Sequence, residues 1–300
     1  MARKAMQRRR GAELIVNTSN TDKSNPKRFM LGIPLTGLVR AEWAMARYGQ
    51  GLPTNWSMCE MGAWLDQVSP LAFTVPNARN IIVQKFIEQG FEWLFFLDHD
   101  VLLPPNTLVK LNTYMNSAQY PIVNGLYFTK SKPSEPLIYR GKGTSYFSAW
   151  KLGEKVMADG TGLGCTLLHR SILKKIHDES EEYELGNIKV RRVFRNPLEH
   201  TYDEKSNAWA LASGTEDLDF YNRLQTQGIY KKAGWSKFEK MKYPLLIDTS
   251  IFCRHISNDG VQFPAAGEEY LFMSDDNLRA EIESINKHGI AKHKVMTRRV

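Results

Sequence analysis

Apolar and polar positions along the chain alternate between two kinds of segment. Arg28 to Pro34 (RFMLGIP) is a short apolar run closed by proline, and it predicts a first strand. Leu71 to Val75 predicts a second. Asn77 can then cap a helix to about Gln89, with Ile81, Ile82, Phe86 and Ile87 on one side and Gly90 as the stop. Trp93-Leu94-Phe95-Phe96-Leu97 is the longest compact apolar run. It is apolar on both faces, as a strand in the middle of a parallel sheet must be. After Pro104-Pro105, Asn106 caps a helix carrying Leu108, Leu111 and Tyr114 or Met115 at helical spacing, and Pro121 to Tyr127 predicts a fourth strand. Strand, helix, strand, helix, strand is the order of a doubly wound α/β domain with a mostly parallel sheet and flanking helices.

The second half is less regular. Thr129 to Gly143 reads as loop, and His169 to Ile176 as helix. Residues 178–207 are charged and mixed, a flap or an insertion. Thr215 to Gln227 predicts a helix stopped by Gly228. Leu245 to Asp248 and Ile251 to Ile256 predict short strands, and residues 274–288 a terminal helix capped by Ser274. With no internal repeat and no second complete core, the expected organisation is a flexible basic arm over 1–27, one catalytic domain over 28–273, and a terminal helix with a basic tail over 274–300.

Charge adds one correction to a first impression. The net charge of +8 suggests nucleic acid, but Arg3, Lys4, Arg8, Arg9 and Arg10 at one end and Lys287, Lys292, Lys294, Arg298 and Arg299 at the other hold ten of the 40 basic residues, leaving 30 bases against 32 acids between them. The globular part is near neutral. No specific nucleic-acid partner is expected, and the basic ends could touch anionic surfaces. No run reaches the roughly 18 apolar residues of a membrane span, and the charged start has no apolar segment after it. Cys59, Cys165 and Cys253 are too few and too scattered for a disulfide framework or a zinc site, so a reducing, cytoplasmic setting is expected.

The chemistry concentrates after the most apolar strand. Ligands bind open α/β sheets at the carboxyl ends of strands, and Asp98-His99-Asp100 stands at such an end. Two carboxylates in one turn can hold Mg²⁺ or Mn²⁺ beside diphosphate oxygens, although two solvated aspartates in a turn are the plainer alternative. Glu216-Asp217-Leu218-Asp219 follows Thr215. Acids in a first helical turn complement the helix dipole, and three in four positions exceed what that needs. Gly160, Gly162 and Gly164 alternate, and Cys165 stands where a dinucleotide fingerprint needs its third glycine. A bend that lets substrate approach the backbone is the preferred reading.

Leu97-Asp98-His99-Asp100-Val101 with the prolines beyond it resembles the D-x-D segment of GT-A glycosyltransferases, in particular the family 2-like group common in bacteria and phages. Ala78-Arg79-Asn80, the Gly160–Cys165 run with His169-Arg170, Glu216-Asp217 with Asp219 and Arg223, and Asp248 with His255 resemble further segments of that family, in its order, over roughly residues 28–257. The resemblance implies the GT-A fold and transfer of a sugar from a nucleotide-diphosphate sugar to a hydroxyl of a carbohydrate, lipid-linked or protein acceptor, with Mn²⁺ or Mg²⁺; an E-D pair favours inversion. It implies Asp98, Asp100 and His255 as metal ligands and Pro34, Thr36, Arg79 and Asp98 in the nucleotide pocket. It makes Asp217 the base, with Glu216 second, against a plain helix start; His255 is equally readable as a structural histidine. Residues 178–207 have no counterpart. Two other classes stay open: a metal-dependent nucleotidyltransferase or phosphohydrolase, whose histidine sets or Gly-rich basic loop are missing, and a non-enzymatic module with basic ends on nucleic acid or membrane, which leaves Asp98, Asp100 and Glu216-Asp217 without a use.

Overall fold

The computed structural model describes residues 14–16, 28–35, 37–53, 67–141, 146–203 and 208–272. Thr36, Cys59 and residues 273–300, with the terminal helix expected there, lie outside the described residues. So does most of the arm over 1–27. Within that arm, β1 (Leu14–Val16) lies antiparallel against a strand of the main sheet.

The first half follows the expected alternation. It runs β2 (Phe29–Gly32), α1 (Ala41–Tyr48), β3 (Gln67–Pro70), α2 (Val75–Gln89), β4 (Trp93–Leu97), β5 (Val101–Leu102), α3 (Thr107–Ser117) and β6 (Ile122–Leu126). The second strand comes before the Leu71–Val75 run, because that run bends into α2. The cap of α2 is Thr74 with Pro76 in its first turn, and Asn77 lies inside the helix, its side chain accepting from Tyr183 Oη. Gly90 ends α2 in the left-handed region at φ 82°, as its sequence position implies.

The second half continues with β7 (Lys155–Ala158), β8 (Cys165–His169) and α4 (Arg170–Glu179). Two hairpins follow, β9 (Glu182–Leu185) with β10 (Ile188–Arg191), and β11 (Leu198–Asp203) with β12 (Ala208–Ser213). Then come α5 (Glu216–Thr226), α6 (Ile229–Lys232), α7 (Ser236–Glu239), β13 (Leu245–Phe252), β14 (Arg254–Ile256), β15 (Gln262–Phe263) and a 3₁₀ turn over Glu268–Phe272. Of residues 178–207, those described, 178–203, thus fall largely in these hairpins. The first of them docks on α2: the Asn80 side chain donates to the Phe194 carbonyl at 2.9 Å and to Tyr183 Oη, and accepts from Phe194 N–H at 2.7 Å.

The main sheet has the order β1-β3-β2-β4-β8-β6-β13-β7. β3, β2 and β4 are parallel neighbours, as are β6 and β13, while β8 runs antiparallel between β4 and β6. Five of the eight strands therefore point one way, and β1, β8 and β7 oppose them. The result is a mixed α/β sheet, mostly parallel in direction and flanked by helices. β8, like β7, is a strand of this sheet that sequence periodicity does not give. Its five residues sit between a glycine-rich bend and a helix and are too few to set a period.

β4 shows why the core forms here. Leu94 and Phe96 enter one cluster with Ile82, Phe86, Ile172 and Phe220 from α2, α4 and α5. Trp93, Phe95 and Leu97 enter the other, with Trp43, Leu108 and Leu111 from α1 and α3. All five side chains are fully buried, each worth about 1.5–3 kcal/mol relative to exposure. The strand is pinned on both faces, and the turn that follows it is held in place.

Candidate functional site

The topology gathers several chain segments at one edge of the sheet. The carboxyl ends of β2, β3, β4, β6 and β13 lie there, together with the amino end of the reversed strand β8. The turn after β4 is fixed by backbone bonds: Asp98 N–H donates to the Gly164 carbonyl at 3.0 Å, Val101 N–H to the Asp98 carbonyl at 3.1 Å, and Ile256 N–H to the Asp100 carbonyl at 2.8 Å. Trp43, buried on α1, donates its indole N–H to the Asp98 carbonyl at 2.9 Å.

The two aspartates of this turn meet different partners. Arg79, in the first turns of α2, is 2% exposed, and its Nη2 donates to Asp98 Oδ1 at 2.8 Å and Oδ2 at 3.0 Å. Its Nη1 donates to Glu216 Oε1 at the start of α5, 137 positions later. Burial alone would push the guanidinium's pKa down. The charges of Asp98, Glu216 and Asp217 outweigh that and hold it above its ordinary value. Burial pushes Glu216 up; Arg79 opposes and Asp217 adds to the rise. Arg79 thus faces carboxylates instead of an open nucleotide pocket.

Asp100 faces the other way. Its Oδ2 accepts from Lys130 Nζ at 2.5 Å and its Oδ1 lies 3.5 Å from His255 Nε2. Burial opposes ionisation, but His255 and Lys130 prevail and hold the carboxyl far below the usual carboxylate range. β5 and β14 bring the histidine to it, since His255 pairs with Val101 across them. His255 Nδ1 lies 2.8 Å from the Phe128 carbonyl, which can only accept. Nδ1 therefore carries the proton, and in the neutral ring Nε2 is an acceptor turned toward a carboxylate. Two acceptors 3.5 Å apart repel unless a proton or a cation lies between them.

This pair tests whether a divalent cation fits. A hard carboxylate and an imidazole converge, which suits Mn²⁺. Among the described residues no group of three His, Cys, Asp or Glu side chains is arranged to hold a metal, so the remaining ligands would have to be substrate oxygens and water. The expected third protein ligand, Asp98, is occupied on both oxygens by Arg79. Asp248, the other member of the late segment, accepts from Tyr114 Oη at 2.8 Å and from Ser250, and belongs to the packing of β13 on α3.

The acids of α5 separate in the same manner. Glu216 is bound to Arg79, and Asp219 to Arg223 at 2.7 Å and Arg195 at 3.2 Å. Among the described residues Asp217 makes no ion pair; its Oδ1 accepts from Leu218 N–H at 2.9 Å. The Thr215 side chain makes no cap bond. Pro34 and Leu35 line a cleft of about 90 Å³ with Phe73, Val75, Asp98, His99 and Asp100.

Tyr127, just beyond β6, is a site residue that sequence reading misses. It is buried, its Oη accepts from Gly164 N–H at 2.9 Å, and its ring meets His255 edge-on at 5.4 Å. It also explains the glycines. A Cβ at 162 would lie 1.8 Å from Tyr127 Oη, and one at 164 would lie 2.9 Å from Asp98 Oδ2. What approaches the backbone at these positions is Tyr127 and a carboxylate of the chain itself, where substrate was expected. Lys130 is missed for another reason: it stands in a polar loop with two other lysines, Lys132 and Lys142, and nothing local marks it.

Neither a protein-family model nor a curated protein sequence matches the chain. Among solved structures, A197 from STIV matches with a TM-score of 0.46 at 17% identity, covering 78% of this chain and 88% of that one. TarS 1–349 of S. aureus, solved in complex with UDP, matches with a TM-score of 0.36 at 10% identity, covering 87% and 71%. Likenesses this distant carry no residue roles.

Proposed function

We propose that this chain transfers a sugar from a nucleotide-diphosphate sugar to an acceptor hydroxyl, with inversion, at the edge formed by β4, β6, β8 and α5. The observation that carries the reading is the sorting of the charged side chains there. Arg79 ties Asp98 to Glu216, Asp100 Oδ1 and His255 Nε2 converge at 3.5 Å, and among the described residues Asp217 makes no ion pair.

In this reading Asp100 and His255 hold Mn²⁺ or Mg²⁺, and Pro34, Thr36 and Asp98 flank the nucleotide. When bound, the metal ion neutralises charge on the departing diphosphate. Arg79 acts through others, fixing Asp98 and the start of α5 in register. Glu216 serves that bridge, so Asp217 is the carboxylate that accepts the acceptor's proton as the hydroxyl attacks. A purely structural helix start does not need a further carboxylate, outside any ion pair among the described residues, beside the buried Tyr127 and Arg79, both of which feel its charge. A binding module for nucleic acid would not need part-buried acids gathered at one sheet edge.

The test is a screen for donor hydrolysis across common nucleotide sugars, with and without Mn²⁺. Metal-dependent release of nucleotide from at least one donor is expected. Absence of turnover across the panel, with no thermal stabilisation by UDP or GDP plus Mn²⁺, overturns the reading.

A further inference from the structure

Lys130 is a cation built into the place that an incoming cation needs. Its ammonium lies 2.5 Å from Asp100 Oδ2, and the pair is only part-buried, with Lys130 35% and Asp100 26% exposed. The backbone beneath it is braced. Thr129 N–H donates to the Glu135 carbonyl at 2.9 Å, Glu135 N–H to Thr129 Oγ1 at 3.0 Å, and Phe128 bridges Pro136. Two residues earlier, the Phe128 carbonyl is the group that sets the His255 tautomer. One short segment, Phe128 to Lys130, therefore controls both members of the Asp100–His255 pair. It engages Nδ1, so that Nε2 is the nitrogen facing the carboxylate, and lays a positive charge on that carboxylate.

The Asp98 side of the turn gives the contrast. Arg79 is buried and bound on two sides, so it has nowhere to move. Lys130 hangs from a braced loop on a flexible four-carbon stem into partly open space, and such an ammonium can change partners without moving the backbone.

We propose that Lys130 is an exchangeable counter-ion: it neutralises Asp100 in the empty site, yields Asp100 to the divalent cation, and then pairs with the nucleotide's diphosphate. This rests on the metal reading above and names the residue that couples metal entry to nucleotide binding. Lys130 here is a positioning and binding residue with no role in bond making. The proposal has an unusual signature, because removing the lysine must act in opposite directions on two ligands. Loss of the competing charge tightens Mn²⁺ alone. Loss of the phosphate partner weakens the nucleotide.

The experiment uses the full chain, with Mn²⁺ binding followed by electron paramagnetic resonance of the free ion and UDP and GDP binding by calorimetry at saturating Mn²⁺. Wild type, Lys130→Met, Lys130→Arg and Asp100→Ala are compared, each checked for an unchanged melting temperature. Lys130→Met should bind Mn²⁺ alone roughly two- to fivefold more tightly, the size of a part-exposed ion pair. It should bind the nucleotide roughly tenfold more weakly, the size of one charge-assisted phosphate contact. Lys130→Arg should restore the nucleotide affinity. Unchanged Mn²⁺ affinity in Lys130→Met, or unchanged nucleotide affinity, overturns the proposal while the metal reading stands. Unchanged Mn²⁺ affinity in Asp100→Ala overturns the metal reading, and the proposal with it.

Discussion

Asp98 and Asp100 are two residues apart in one turn and live in different physical settings. Asp98 is bound on both oxygens by a guanidinium that is 2% exposed and that also grips Glu216 from another element. Asp100 meets a histidine and a lysine that are 17% and 35% exposed. A buried charge must be fully compensated by the protein, because water cannot do it. A part-exposed charge can be compensated by whatever arrives. Asp98 and Asp100 are themselves 22% and 26% exposed, so it is their partners that differ; on the proposed reading Asp98 serves the framework through Arg79 and Asp100 is left to a ligand.

The largest effect that would break this contrast is on stability. Arg79→Met should lose about 2–3 kcal/mol, because it leaves the part-exposed Asp98 and Glu216 without their shared cation. Thermal or urea unfolding reads the loss. A variant within 1 kcal/mol of wild type, on the order of a surface pair, would show that Asp98 is no more anchored than Asp100.

Asp217→Asn should act on rate and leave the fold alone. A positioned base contributes roughly a hundred- to ten-thousand-fold, so the variant should lose transfer by that order, keep its melting temperature and keep nucleotide binding with Mn²⁺. Glu216→Gln should instead keep most of the transfer rate, since the Glu216 carboxylate is engaged by Arg79. Near wild-type transfer by Asp217→Asn would return α5 to the status of a helix start.

These contrasts were unequally legible in the sequence. The apolar run of β4 shows on its face that it is buried on both sides, and an acid pair after such a strand stands at a ligand edge by topology alone. Gly90 as the end of α2 follows from its conformational freedom. The antiparallel insertion of β8 does not follow, because strand direction is a tertiary choice and five residues carry no period. The pairings of Arg79 with Glu216 and of Asp100 with His255 and Lys130 span most of the chain, and no local pattern encodes them. Nor does the sequence tell which acid of α5 makes no ion pair among the described residues; that depends on where Arg79, Arg195 and Arg223 fall in space.

The smallest effect sharpens the contrast through pH. Asp100's folded pKa is depressed, so its contribution to stability is full above the unfolded carboxylate value near 4 and is lost as pH falls below it. Glu216's folded pKa is raised, so its contribution is full below its unfolded value and is lost as pH rises through its folded one. Asp100→Asn should therefore flatten the acid limb of a stability profile measured from pH 2 to 5. Glu216→Gln should remove a decline that begins above about pH 4. The Asp100 effect should be under about 1 kcal/mol, because its partners are part-exposed. An unchanged acid limb in Asp100→Asn would mean that His255 and Lys130 do not hold the carboxylate in solution.

Calorimetric titration of UDP, and separately of GDP, into wild type and Asp100→Ala, each with and without Mn²⁺, addresses the proposed site itself. Wild type should bind at least one of the two nucleotides in a Mn²⁺-dependent manner. Asp100→Ala should lose that dependence with affinity down by roughly tenfold or more, the size of a lost charged contact, at an unchanged melting temperature. Nucleotide affinity that is indifferent to Mn²⁺ in wild type, or equal in the two proteins, would contradict a metal-assisted nucleotide-sugar site at Asp100 and His255.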